Sequence, residues 1–151
     1  MPSASTVFVD TNVLLYAVDP RQPNKQARAQ AWLQHCWRHD CGRISTQVLH
    51  ELFTNLRRVA PSLAVEDARR LVREYRAWTP WIVDDETVDS AWQLQDRFSF
   101  NYWDALMVAA ALQQGCSCML SEDLQHDQVI DKLRIVNPFL LGPEILDAPA
   151  P

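Results

Sequence analysis

Short apolar runs of strand-like composition alternate along this chain with longer segments whose apolar residues recur at helical spacing. The first run, residues 6–9 (TVFV), is β-branched and aromatic and stops at Asp10, which is typical of a buried strand. Residues 24–39 instead follow i, i+3, i+4 and i+7 spacing, which predicts an amphipathic helix. The pattern predicts strands at 6–9, 43–46, 80–83, 116–120 and 133–136, and helices at 11–18, 24–39, 48–60, 65–75, 88–98 and 102–114.

Strands separated by helices are joined by right-handed crossovers, so the alternation predicts a parallel sheet that is covered on both faces. The length of 151 residues suits one domain, and neither an internal repeat nor a linker interrupts it. We therefore expect a single α/β/α domain over residues 1–151, with an irregular, proline-containing tail from about residue 138.

Composition excludes several classes of function. The chain has only 3 glycines, which argues against a glycine-rich phosphate loop and hence against a flavodoxin-like nucleotide-binding domain. The net charge of −5 argues against coating nucleic acid by bulk charge. The charge is unevenly spread, because 11 of the 14 basic residues lie in residues 1–76, whereas 12 of the 19 acidic residues lie in residues 77–151. This asymmetry suits a protein that holds an anion beside a concentration of carboxylates.

The 4 cysteines form no C-x-x-C motif, so we expect buried thiols in a reducing compartment. We find no signal peptide and no apolar run of membrane-spanning length, and we expect a soluble cytoplasmic protein. A zinc site remains an alternative, since two histidines and two cysteines lie close together in or beside the second predicted helix: His35, Cys36, His39 and Cys41.

Four acidic residues stand where a parallel sheet places its ligands. Asp10 and Asp123 follow predicted strands, and ligands of open parallel sheets bind beyond the carboxyl ends of the strands. Asp104 lies in the first turn of the helix that Asn101 caps, and Glu51 lies on the polar side of its helix. Each acid also has an ordinary interpretation: a cap for Asp10, a favourable helix-dipole position for Asp104 and a solvated face for Glu51.

Taken together, the segments around these acids resemble the motifs of PIN-domain nucleases, in order and over almost the whole chain. Without additional domains, the chain looks most like the VapC-type toxins of bacterial and archaeal toxin–antitoxin pairs. The matching segments are residues 9–16 (VDTNVLLY), 45–52 (STQVLHEL), 102–111 (YWDALMVAAA) and 120–124 (LSEDL).

The resemblance implies a parallel five-stranded sheet of order 3-2-1-4-5 between helical layers, and metal-dependent cleavage of RNA. Asp10, Glu51, Asp104 and Asp123 carry over as the acidic cluster around Mg²⁺ or Mn²⁺. Supporting roles fall to Thr11, Asn12 and Ser121, which orient the acids or a metal-bound water, and to Asp127, an auxiliary acid if residues 123–127 are helical. Which of Glu122 and Asp123 points inward stays open.

The ion suits this chemistry, because Mg²⁺ prefers oxygen ligands, acidifies bound water and offsets the charge that builds on a phosphoryl group. The family likeness further implies a homodimer and a small antitoxin whose apolar segment packs between helices. RNA-binding candidates come from an arginine-rich pair of helices, and we select Arg57, Arg58 and Arg73 from a group that also contains Arg69, Arg70 and Arg76. Trp103 is expected to pack rather than stack on bases.

The competing hypothesis is a PIN-like module that binds RNA or protein without cleaving it. Retention of all four acids favours an enzyme, because a scaffold has no reason to accumulate mutual repulsion. A D-x-D phosphohydrolase is excluded since residue 12 is Asn.

Overall fold

The computed structural model describes residues 5–147 of the chain. Its strands are β1 (Val7–Val9), β2 (Gly42–Arg43), β3 (Cys118–Leu120), β4 (Val129–Ile130) and β5 (Leu133–Val136). Its α-helices are α1 (Thr11–Tyr16), α2 (Pro23–Arg38), α3 (Thr46–Val59), α4 (Val65–Glu74), α5 (Asp85–Arg97) and α6 (Tyr102–Gln113), with short 3-10 helices at Tyr75–Trp78 and Pro143–Asp147.

The five strands form one sheet in the order β2-β1-β3-β5-β4, and the first four are mutually parallel. The central strand β1 pairs with β3 in a register that sets Val9 opposite Leu120. Side chains of successive strand residues point to opposite faces, and all three residues of β1 are fully buried. Helices therefore flank both faces of the sheet, and the predicted α/β fold class is confirmed.

The predicted strand at 80–83 is reduced to a single parallel bridge between Ser45 and Trp81. Trp81 donates its N–H to Ile44 O at 3.0 Å and accepts from Thr46 N at 2.9 Å. The ladder goes no further, since Pro80 has no N–H to donate and Ile82 is largely exposed. This bridge keeps the predicted order at that edge of the sheet but supplies no full strand.

The opposite edge carries an antiparallel strand that the sequence pattern did not predict. β4 pairs with β5, with Ile130 opposite Leu133. Only Asp131 and Lys132 connect them, and a two-residue connection can join antiparallel strands but not parallel ones. The expectation of a wholly parallel five-stranded sheet is therefore wrong at this edge.

Side-chain caps begin the two helices next to Asp10 and Asp104. Asp10 caps α1 by accepting from Asn12 N, and Asn101 caps α6 by accepting from Asp104 N at 2.8 Å. Gly115 follows α6 at a φ of +73°, as expected for a residue that ends a helix.

The tail differs in part from the predicted irregular course, because Pro143–Asp147 forms a 3-10 helix. The buried Trp32 indole donates to Leu141 O at 2.9 Å and ties this segment to α2. The last residues of the predicted tail, 148–151, lie outside the described part of the chain. Of the helices within residues 5–147, none is both long enough and apolar enough to cross a bilayer.

Candidate active site

Four carboxylates from separate segments line one cavity of about 280 Å³. Asp10 and Asp123 stand at the carboxyl end of the parallel strands β1 and β3, which are in register. Asp104 enters from the first turn of α6, and Glu51 from the middle of α3. The structure thus brings together all four acids that the sequence motifs selected, and Thr11 and Asn12 line the same cavity. We name it the acidic cavity.

Asp10 is the most deeply placed of these acids. It is 3% exposed, accepts from Ser121 Oγ at 2.9 Å through Oδ2, and accepts from Asn12 N through Oδ1. Burial, with a smaller contribution from the carboxylates of Asp104 and Asp123, raises the pKa of Asp10 to about 7 against the hydrogen bonds from Ser121 and Asn12 that lower it. Asp10 is therefore both a helix cap and a buried carboxylate whose charged form is disfavoured.

Asp104 and Asp123 are each held by an asparagine. Asn101 Nδ2 donates to Asp104 Oδ2 at 2.9 Å, and Asn12 Nδ2 donates to Asp123 Oδ2. Burial raises the pKa of Asp104, and the charge of Asp123 adds to that effect. The asparagines bind only the Oδ2 atoms of Asp104 and Asp123. The Oδ1 atom of each acid can therefore bind a cation or a hydrogen-bond donor.

Glu51 is held on both carboxylate oxygens and does not belong to a merely solvated face. Thr11 Oγ1 donates to Glu51 Oε1 at 3.0 Å, and Gln47 Nε2 lies 3.3 Å from Glu51 Oε2. Helical periodicity alone places Glu51 on the polar side of α3, but α1 packs against that side and brings Thr11 to it. The helix packing therefore turns a polar position into a lining position.

The choice between Glu122 and Asp123 is decided by Lys25 of α2. Lys25 Nζ lies 2.6 Å from Glu122 Oε1, and the pair is partly buried, whereas Asp123 faces the acidic cavity. Lys25 also stands over the rings of Tyr16 and Phe139, at 4.9 and 5.3 Å from their centroids. Glu122 therefore faces this cation and its aromatic neighbours.

Asp127 lies apart from the acidic cavity. The expected auxiliary role of Asp127 depends on a helix over residues 123–127. These residues instead form bends and a turn, and Asp127 has a φ of +68°. Its carboxylate accepts from Arg134 at 2.9 Å and 2.6 Å, and this hydrogen bonding lowers the pKa of Asp127. A turn anchored to β5 replaces the expected helical turn.

The donor chemistry of the acidic cavity fits a hard divalent cation. Its acids offer only carboxylate oxygens, and burial together with the neighbouring carboxylates raises the pKa values of Asp10 and Asp104. Within residues 5–147, no three His, Cys, Asp or Glu side chains are grouped to enclose one ion. Mg²⁺ needs no such cage, because it is usually held by one or two carboxylates and keeps several waters.

The alternative zinc site is not formed. Within residues 5–147, the side chains of His35, Cys36, His39 and Cys41 do not come together as a group that could hold a metal ion. Cys36 is fully buried on the core side of α2, while the rings of His35 and His39 stack on each other with centroids 4.4 Å apart. The helix sends the thiol and the imidazoles in different directions.

The predicted RNA-binding arginines lie in three different environments. Arg58 lines the acidic cavity and donates to Asn55 Oδ1 at 3.3 Å. Arg57 donates to Leu63 O at 3.1 Å and braces the loop after α3. Arg73 lies with Arg69 and Arg76 in a separate groove between α3 and α4.

Other cavity-lining residues were missed as site residues. Asn101 was identified only as a helix cap, yet its amide also holds Asp104. Asn55 and Trp103 also line the cavity, and Gln47 donates to Glu51 without lining it. Gln47 and Asn55 stand four residues from Glu51 on either side. Spacing of i and i+4 on a helix places side chains on one face, and that is the signal that could have found them.

A protein family model and known structures match this chain. The PIN domain family model matches residues 7–132. No curated protein matches the chain. Two solved structures share the fold. VapC20 of Mycobacterium tuberculosis, described as a sarcin-ricin loop cleaving toxin, has 19% identity and a TM-score of 0.54, covering 78% of this chain and 90% of that one. VapBC2 of Rickettsia felis, bound to a promoter DNA fragment, has 14% identity and a TM-score of 0.58, covering 86% and 96%. By the match of the family model over most of its length, this chain belongs to the PIN domain family.

Proposed function

We propose that this protein is a Mg²⁺- or Mn²⁺-dependent endoribonuclease and the toxin of a toxin–antitoxin pair. One observation carries the proposal: Asp10, Glu51, Asp104 and Asp123, from four separate segments, line one cavity. Four converging carboxylates repel one another and an RNA phosphate, so the arrangement makes physical sense for a protein that takes up a cation there.

Each residue of the acidic cavity has a proposed role in this reaction. A divalent ion bound there would supply an acidified water and positive charge for the scissile phosphate. One or two of the carboxylates of Asp10, Asp104 and Asp123 would hold that ion, and Ser121, Asn101 and Asn12 orient them. Thr11 fixes Glu51 so that it faces the same space, and Arg58 at the wall of the cavity contacts an RNA phosphate.

The toxin assignment rests on the similarity to VapC20 and VapBC2. VapBC2 is described as bound to a promoter DNA fragment. We propose that this chain likewise acts with a DNA-binding antitoxin, encoded by the adjacent upstream gene, and that it does so in the cytoplasm. We propose that the protein forms a homodimer and that its antitoxin inserts a basic side chain among the acids, which blocks the cation site.

Cleavage of single-stranded RNA tests this function. We expect hydrolysis in Mn²⁺ or Mg²⁺ and none in EDTA. Asp104→Asn should lose activity by several orders of magnitude while its circular dichroism spectrum stays that of the wild type. Asp89→Asn is the matched control, because Asp89 is an exposed acid on α5 that does not line the acidic cavity.

The result that contradicts this function is wild-type cleavage by folded Asp104→Asn protein, after contaminating nuclease is excluded. A wild type that binds RNA and shows no cleavage in either metal supports the alternative, a PIN-like module that binds without cleaving. Size-exclusion chromatography after co-expression with the adjacent upstream gene tests the antitoxin and the dimer.

A further inference from the structure

A second, apolar pocket adjoins the acidic cavity. It has a volume of about 400 Å³, and its walls include Val83, Leu106 and Trp103. Glu51 and Trp103 line both spaces, so the two are neighbours that share a wall. The pocket falls within the range of roughly 300–1,000 Å³ that is typical of sites for small organic groups.

Trp103 is exposed in this wall, which differs from the expectation that it packs rather than stacks on bases. Its side chain is 61% exposed although it directly precedes Asp104. The residue is nevertheless held in place: its carbonyl accepts from Gln47 Nε2 at 3.1 Å, and its ring meets that of Tyr102 edge-on, with centroids 5.2 Å apart. A fixed, exposed indole offers a flat surface on which an unpaired base can stack.

An arginine-bearing groove continues from the far side of this apolar pocket, with which it shares Thr46 and His50. It carries Arg69, Arg73 and Arg76. Arg69 forms an ion pair with Glu66, whereas Arg73 and Arg76 have no acidic partner within residues 5–147. The surface therefore presents, in order, a cation-seeking acidic cavity, an apolar pocket with an exposed indole, and a positively charged groove.

This order matches the chemistry of a single RNA strand, in which anionic phosphates alternate with flat, uncharged bases. We propose that the apolar pocket binds one unpaired nucleobase next to the scissile phosphate, with Trp103 as the stacking surface and Arg73 and Arg76 holding the phosphates beyond it. This inference rests on the proposed ribonuclease function and adds a determinant of which RNA is cut. Gln47 links the two spaces, because it donates both to Glu51 and to the Trp103 carbonyl.

An apolar segment of a protein is the competing occupant. The unpartnered arginines favour RNA, because a wholly apolar segment leaves their charges without a counter-ion. The position beside the acidic cavity points the same way, because a nucleotide whose phosphate lies at the acids would have its base within reach of this pocket.

Binding of two labelled octanucleotides, measured by fluorescence anisotropy at low salt in millimolar Ca²⁺, an oxygen-seeking cation that can offset the charge of the acids, separates base from backbone recognition. One is oligoadenylate, and the other has the same ribose-phosphate chain without bases. The wild type should prefer oligoadenylate by roughly tenfold or more, as expected for one stacked base. Trp103→Ala should lose most of this preference, and Trp103→Phe should keep most of it.

Trp92→Ala is the matched control, since Trp92 is 55% exposed on α5 and lines neither space. Arg73→Ala should weaken binding of both octanucleotides by a similar factor. Equal wild-type affinity for the two, or a preference that survives Trp103→Ala, overturns the base pocket but leaves the ribonuclease function standing if RNA is still cleaved. Absence of any octanucleotide binding counts against both. If Trp103→Ala weakens only the association with the upstream-encoded protein, the pocket is a protein-docking site.

Discussion

Ser121 donates a hydrogen bond of 2.9 Å to Asp10, joining two buried side chains that lie 111 positions apart in the chain. The bond connects the residues that follow β1 and β3, so sheet register and site geometry are set by the same pairing. It lowers the pKa of Asp10, yet burial outweighs it and leaves that pKa at about 7. The Ser121 hydroxyl therefore orients this carboxylate without offsetting the cost of burying its charge.

Asp10 should make metal-free stability fall as pH rises. The folded chain keeps this proton up to a pKa of about 7, whereas the unfolded chain releases it near 3.8. Below pH 3.8 both states are protonated and Asp10 costs nothing. The cost grows between the two pKa values and is complete above pH 7, on the order of 4 kcal/mol. In EDTA, Asp10→Asn should therefore be more stable than the wild type at pH 8, with a difference that vanishes towards pH 4. Urea unfolding at several pH values measures it, and a pH-independent difference contradicts it.

Divalent metal should stabilise the native state through the four acids. Binding at a hundredfold excess over Kd adds about 2.7 kcal/mol, which raises Tm by roughly 5–10 °C for a domain of this size. Asp104→Asn removes one of the mutually repelling charges, so its Tm in EDTA should rise, while the increase in millimolar Mn²⁺ should shrink. Differential scanning calorimetry of both proteins, with Asp89→Asn as control, decides the point. Equal metal shifts in Asp104→Asn and the wild type mean that Asp104 does not share the site.

The ion pair of Lys25 and Glu122 should position the loop that carries Ser121 and Asp123. Lys25→Met leaves Glu122 partly buried without its cation and should lower the free energy of unfolding by about 1–2 kcal/mol. Glu122→Gln in the same chain should recover part of that loss, because the two changes are coupled. Lys132→Met, at an exposed lysine, is the control. Chemical denaturation measures the free energy of unfolding of each variant, and RNA cleavage should decrease most in the variant that loses most stability. If the effects of Lys25→Met and Glu122→Gln on stability simply add, the two residues are not coupled.

Substitution by alanine should destabilise the protein for different reasons at Gly42, which begins β2, and at Gly115, which follows α6. A Cβ at Gly42 would lie 2.5 Å from the ring of the buried Trp78, so Gly42→Ala should cost about 1–3 kcal/mol. At Gly115 there is open space but a φ of +73°, so Gly115→Ala should cost about 1 kcal/mol through backbone strain.

Trp78→Phe distinguishes these causes. The smaller ring makes room for the Cβ, and the Trp78 indole N–H has no hydrogen-bond partner within residues 5–147. Combined with Gly42→Ala, this change should cost less than the sum of the two single changes, whereas with Gly115→Ala the costs should add. Thermal melts of the single and double variants measure both cycles, and additivity at Gly42 rules out the steric explanation.

Local residues determined the helices and most of the strands. The β-branched run before Asp10 and the Asn101 cap before Asp104 are complete within a few residues, because side-chain periodicity and capping act over one or two turns. The family motifs are likewise contiguous stretches, so the four acids could be selected without the fold.

Only the tertiary structure decided how these pieces meet. Pro80 prevents a full edge strand, β4 turns back on β5 in place of a parallel neighbour, and Lys25 draws Glu122 away from the cavity that Asp123 faces. Local periodicity places Glu51 on a solvated face, but α1 packs against that face and Thr11 donates to Glu51. Trp103 is expected from the sequence to serve for packing, yet its side chain is 61% exposed. Exposure depends on which other element covers a position, and the covering elements lie up to 111 residues away, beyond the reach of any local pattern.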